Sequence, residues 1–66
     1  MPTFEIYDRF SHLNDTDAGR ESLDVYAQAI ESGKSEDEAE VLASNVLQRA
    51  GYNVNAKGGV SIREYQ

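Results

Sequence analysis

The sequence predicts an α+β fold in the order β-α-α-β-β, a helical hairpin packed on a three-stranded, mainly antiparallel sheet. Three observations lead there. Apolar residues recur with helical period between Asp17 and Ser32 and again between Glu36 and Ala50, and each run is followed by a glycine, Gly33 or Gly51. Phe4-Glu5-Ile6-Tyr7 alternates apolar and polar, the period of a half-buried strand. A second alternating stretch, Tyr52 to Gln66, is interrupted by the turn-forming run Ala56-Lys57-Gly58-Gly59.

The first strand is expected over residues 3–9, with Phe4 and Ile6 on one face and Glu5 and Tyr7 on the other. Phe10 to Asn14 shows no clear period. Asn14-Asp15-Thr16-Asp17 is turn chemistry ending in a helix N-cap, because short polar side chains accept bonds from the free amides of a first helical turn. Helix 1 then spans 17–32, its apolar stripe formed by Leu23, Tyr26, Ala27 and Ile30. Ser35-Glu36-Asp37-Glu38 matches the capping box and opens helix 2, which spans 36–50. Its inner stripe is Ala39, Leu42, Ala43, Val46, Leu47 and Ala50, in which the alanines permit close approach while Leu42, Val46 and Leu47 supply most of the buried area. Val25 and Val41 fall off these stripes.

The C-terminal stretch is expected to be a hairpin with strands over 52–55 and 59–65. Pairing Val54 with Val60 and Tyr52 with Ile62 keeps one apolar face and leaves a three-residue loop, Ala56-Lys57-Gly58, with Gly58 at the positive-φ position. A two-residue turn over Lys57-Gly58 would pair Val54 with Ser61 and lose that face. Strand 1 sits either beside the C-terminal strand or at the opposite edge, and a sheet this small keeps open edges for a dimer or a partner.

The 66 residues make one domain, 1–66, that buries only about 60% of the surface its unfolded chain would expose. With no cysteine there is neither a disulfide framework nor a thiolate metal site, so packing or a second copy in a homodimer must supply stability. No apolar run approaches the ~20 residues that span a bilayer, and Met1-Pro2-Thr3-Phe4-Glu5 lacks the basic and apolar zones of a signal peptide. The expectation is a soluble, unprocessed, cytoplasmic protein.

Catalytic and metal-binding patterns fail when checked. His12 is the sole histidine, and no G-x-S-x-G elbow accompanies the serines that would have to pair with it. An EF-hand register from Asp15 puts Arg20 at the glycine position and Tyr26 at the bidentate glutamate position, and a start at Asn14 puts Val25 there instead. Gly58-Gly59 precedes no helix and is a turn rather than a phosphate cradle. A chain this short has little room for the deep pocket that raises a catalytic carboxyl's pKa. No cofactor or metal is expected, and the chain is read as a non-enzyme.

What remains is charge. Twelve acidic against six basic residues give a net charge of −6, which disfavours direct binding to nucleic acid or anionic lipid and favours a basic protein partner. Asp17, Glu21, Asp24 and Glu31 fall on one stripe of helix 1, opposite its apolar stripe, at axial steps of roughly 6, 4.5 and 10 Å. Asp17 also serves the helix dipole, as do Glu36, Asp37 and Glu38 in helix 2, whereas Glu21, Asp24 and Glu31 have no such structural reason. Arg20 is placed to pair with Asp24. A second candidate surface is Tyr7, Arg63 and Tyr65, which alternate away from the core face and belong to residue types that carry interface energy. For each surface a solvated face is the structural alternative.

The reading that follows is an acidic inhibitor of a basic, nucleic-acid-handling protein, presenting carboxylates in place of phosphates. Small size, acidity and the lack of cofactor motifs are similar in type to phage-encoded anti-CRISPR and anti-restriction proteins, although no motif carries a residue across. The alternatives are an antitoxin or small regulatory subunit, and a structural accessory protein whose acidity serves solubility only. Antitoxin segments that neutralise by extension fit less well, because the caps, turns and periodicity here agree with one another.

Overall fold

A computed structural model describes residues 3–65. The elements are β1 (Thr3–Tyr7), a 3-10 helix (Asp8–Asp15), α1 (Asp17–Glu31), α2 (Glu36–Arg49) and β2 (Ser61–Tyr65). Both α-helices begin and end for the local reasons expected. Thr16 Oγ1 accepts from the Gly19 amide at 2.9 Å and Ser35 Oγ from the Glu38 amide at 3.2 Å. At the other ends Gly33 and Gly51 adopt φ of 95° and 99°, a region costly for residues with a Cβ. The Lys34 amide bonds the Ala29 carbonyl while the Gly33 amide bonds that of Ile30, and Tyr52 to Leu47 with Gly51 to Gln48 repeats the pattern. Both helices therefore close in the same Schellman motif.

The strand expected over 3–9 stops at Tyr7, because Asp8 takes a φ of 67° and the chain turns into the 3-10 helix. Asp is among the few side chains that tolerate this conformation. The sheet of the described residues has two strands rather than three. β1 pairs antiparallel with β2 in the register Ile6↔Ile62, Glu5↔Arg63 and Thr3↔Tyr65, so strand 1 lies directly beside the C-terminal strand.

The expected partner of that strand, 52–55, forms no ladder because its polar backbone groups are taken locally. The Val54 amide bonds the Tyr52 carbonyl at 3.1 Å, and the Val54 carbonyl accepts from Gln48 Nε2. The amides of Gly59 and Val60 both donate to the Asn55 carbonyl, closing a turn over 56–59 in which Gly58 has no positive φ. A Cβ on Gly59 would lie 2.6 Å from the Asn55 nitrogen, so the turn spans four residues instead of the three expected and requires glycine for close approach at 59, not for positive φ at 58. Val54 and Val60 are still buried, but by this turn and not by cross-strand pairing.

Where a third strand would lie against β1, a side chain stands in for it. Asn14 accepts from the Ile6 amide at 2.8 Å and donates to the Ile6 carbonyl at 2.8 Å, with a further bond to the Ser11 carbonyl at 3.0 Å. One primary amide thus satisfies the outward backbone pair at the centre of β1.

The helices cover the other face of Phe4, Ile6 and Ile62. Leu13, Tyr26, Ala29, Ala39, Ala43, Leu47, Val54 and Val60 complete the buried core, and the Phe4 and Tyr26 rings meet edge to face at 5.1 Å. On α1 the buried stripe is Gly19, Ser22, Tyr26 and Ala29, turned from the Leu23, Tyr26, Ala27, Ile30 stripe expected. Close approach is the cause. A Cβ on Gly19 would fall 1.7 Å from the Leu13 carbonyl oxygen, so small residues face the 3-10 helix and α2 while Leu23 and Ile30 pack at the margins. On α2, Leu42 is not buried as expected. It is 37% exposed and Val41 47%, because Ala39, Ala43, Ser44 and Leu47 take the inner face.

Candidate functional site

The acidic row on α1 is exposed along its length: Asp17, Glu21, Asp24 and Glu31 all face outward from the Gly19, Ser22, Tyr26, Ala29 stripe. Arg20 bonds Asp17, not Asp24, at 2.5 Å. The three-residue step puts Asp17 on the guanidinium's side of the first turn, where helix N-terminal charge also favours it. Asp24 instead accepts from Gln28 Nε2 at 3.1 Å, a neutral contact that leaves its charge uncompensated. Glu21 borders a shallow cleft shared with Val46, Arg49 and Ala50, and Glu31 ends a helix whose last turn carries no basic residue. Arg20 consequently neutralises the member of the row already claimed by the helix dipole.

Tyr7 and Arg63 come together on the outer face of the sheet, the guanidinium carbon 5.2 Å from the ring centroid. Glu5 is the direct cross-strand partner of Arg63. Tyr65 occupies the register position opposite Thr3, and its side chain lies outside the described residues. The α1 row and this sheet face look in different directions, because α1 covers the sheet face carrying Phe4 and Ile6.

Sequence reasoning missed Glu40. It sits half-buried on α2 with its carboxylate toward the Ile62 amide of β2. Burial raises its pKa from the ordinary carboxylate value, the Ile62 amide opposes that shift, and the charges of Asp37 and Glu36 add to it. The Tyr26 phenol is raised as well, first by burial and then by Glu36 and Glu40. The available signal was its place beside Ala39, at the border of the inner stripe.

Two open grooves flank this point. One, of about 520 Å³, runs between Asp8, Arg9, Glu40, Lys57 and the Gly59–Ser61 backbone. The other, of about 250 Å³, is bounded by Tyr26, Glu36, Ile62, Arg63 and Glu64. Arg9 is tied down, donating to the Gly58 carbonyl at 2.8 Å with its head 5.1 Å from the Phe10 ring centroid. His12 is exposed beside the same ring. No helix of the described residues is long and apolar enough to cross a membrane.

No family model, no curated protein and no solved structure matches the chain.

Proposed function

We propose that the protein is a non-enzymatic acidic interaction protein that binds a basic, nucleic-acid-handling protein. Carboxylates on α1 take the places of phosphates in the partner's basic groove, in the manner of phage anti-defence inhibitors directed at CRISPR or restriction complexes, and the complex forms in the cytoplasm. The carrying observation is the exposed row Glu21, Asp24 and Glu31, which forms no ion pair among the described residues, although Arg49 shares a cleft with Glu21, while the one ion pair on the helix falls on Asp17. Fixed on one rigid helix, these charges need little ordering on binding.

The test is capture of nucleic-acid-binding proteins from lysate, with displacement by a short DNA duplex and by salt. The Glu21→Lys, Asp24→Lys, Glu31→Lys variant is expected to lose capture by about tenfold or more, as reversed charges oppose both encounter and docking. Three reversals add six units and bring the net charge from −6 to 0, so the neutral Glu21→Gln, Asp24→Asn, Glu31→Gln variant controls for solubility. Capture unchanged in both variants, with intact circular dichroism, eliminates the α1 row as the contact and transfers the reading to Tyr7 and Arg63.

A further inference from the structure

Tyr26 is the buried side chain whose polar atom the fold does not use. The residue is 3% exposed, with its ring against Phe4. A phenol buried to that degree ordinarily finds a hydrogen-bond partner. This one forms no hydrogen bond among the described residues, whereas the hydroxyls of the buried Ser22 and Ser44 donate to the carbonyls of Gly19 and Val41. No fully covered side-chain oxygen among those residues lacks a partner, so the little surface Tyr26 keeps includes its hydroxyl oxygen. That surface opens into the groove of about 250 Å³, which Tyr26 lines.

Around the hydroxyl the groove joins an apolar lining to two carboxylates. Ile30 of α1 with Phe4 and Ile62 of the sheet supply the apolar part. Glu36 enters from the first turn of α2, and Glu64 from β2, where as the register partner of Phe4 it lies on the helix-facing side. Both are exposed, and neither forms an ion pair or a hydrogen bond among the described residues. Arg63 borders the same groove, but its guanidinium is drawn over Tyr7 on the far face of the sheet. Burial raises the phenol pKa and the charges of Glu36 and Glu40 raise it further, so the hydroxyl stays neutral and its oxygen is free to accept. Charges that oppose a phenolate at this point favour a cation there.

We propose that this groove binds a primary ammonium carried on an aliphatic stem, with Glu36, Glu64 and the Tyr26 hydroxyl as its acceptors. An ammonium has three donors and no acceptor, which matches three separate oxygens, two of them charged. A guanidinium presents a planar fork suited to one carboxylate side-on and matches this set less well. The methylene stem lies along Phe4, Ile30 and Ile62. A metal ion is a poorer occupant, because no group of three or more His, Cys, Asp or Glu among the described residues is placed to hold one. Two sources carry the chemistry, a lysine side chain of a protein and a free alkylamine. None of the lining residues belongs to the α1 row, so either site can fail without the other.

The experiment titrates the whole chain, labelled with 15N, with lysine capped as its N-acetyl methylamide. Capped lysine acetylated on its side-chain nitrogen removes the charge, capped arginine keeps the charge but changes its shape, and butylammonium keeps only the stem and head. Expected are saturable shifts centred on the amides of Tyr26, Ile30, Glu36 and Ile62, no saturable binding of the acetylated form, and at least about threefold weaker binding of capped arginine. Tyr26→Phe removes the oxygen alone and costs the fold no hydrogen bond, so its melting temperature should match wild type while binding weakens by about fivefold or more. Glu36→Gln and the exposed Glu64→Gln should each weaken binding by a similar factor. Tighter binding of capped lysine than of butylammonium assigns the site to a lysine side chain, and equal or tighter binding of butylammonium to a free alkylamine.

Four results overturn the proposal. They are no saturable binding of either ammonium probe, equal or tighter binding of capped arginine, shifts centred on Glu21, Asp24 and Glu31, or unchanged affinity in a folded Tyr26→Phe variant. The second reduces the effect to the attraction of an acidic chain for any cation, the third moves the probe to the acidic row, and the last leaves the hydroxyl to water.

Discussion

Replacing Asn14 with Asp changes one NH2 group into an oxygen and nothing else in shape, which makes it a clean test of the amide that closes β1. The wild-type side chain accepts from the Ile6 amide and donates to the carbonyls of Ile6 and Ser11, at 2.8, 2.8 and 3.0 Å. In Asn14→Asp the accepted bond survives, while both donated bonds become contacts between oxygens. Two lost bonds account for about 2 kcal/mol, and the Ile6 carbonyl, on a residue only 1% exposed, adds a desolvation cost of about 1–2 kcal/mol.

A loss of about 3–4 kcal/mol is large for 66 residues, whose total stability is on the order of 3–10 kcal/mol. The melting temperature should fall by at least about 10 °C. The loss should also depend on pH with a definite sign. Facing two carbonyls, the introduced carboxyl has a higher pKa folded than unfolded, so the penalty is full at neutral pH and shrinks as pH falls through the folded pKa and the acid regains a proton to donate. Urea unfolding followed by far-UV circular dichroism at pH 7 and pH 3, each against wild type, measures both effects. A difference below about 0.5 kcal/mol at pH 7, or one unchanged at pH 3, would refute the clamp as a hydrogen-bonding device.

Gly19→Ala tests the close contact of α1 with the 3-10 helix. Alanine ordinarily stabilises a helix interior by about 1 kcal/mol over glycine, but a Cβ 1.7 Å from the Leu13 oxygen forces the elements apart, and a net loss of about 1–3 kcal/mol is expected in urea unfolding. A gain in stability refutes the contact. Glu40→Gln should stabilise the chain at pH 7 by about 0.5 kcal/mol or less, given the carboxylate's partial exposure. Because folding raises the Glu40 pKa, its ionisation costs the folded state a penalty that sets in as pH rises through the ordinary carboxylate range and is full above the folded pKa, so the advantage should vanish as pH falls below that range. An advantage that persists in acid would show that burial and charge are not its cause.

Much of this fold is legible in the sequence wherever the determining interaction is local. Ser35, Gly33 and Gly51 cap their helices as read, because the groups they satisfy lie within a few residues. Alternation correctly put Phe4 and Ile6 inward and turned Tyr7 and Arg63 to the other face. Alternation does not state which strand is the neighbour. Val54 and Val60 obey the apolar pattern of a hairpin, yet Gln48 and Asn55 divert the backbone groups a ladder would need. The exposed acidic row was readable from helical spacing, whereas Arg20 had acids at both three and four residues' distance and only geometry chose Asp17. The Asn14 clamp and the Glu40 carboxylate at Ile62 act across tertiary distance and leave no mark on local pattern.

The pairing of β1 with β2 joins the two described elements that lie farthest apart along the chain. Helices α1 and α2 can meet across a short turn, but the sheet closes only after the entropy of the whole intervening loop has been overcome. Of the pairings between described elements, this ladder therefore carries the largest loop-closure cost. Ile6 and Ile62, paired across that ladder and buried against the helices, stay covered together only while the long loop is closed.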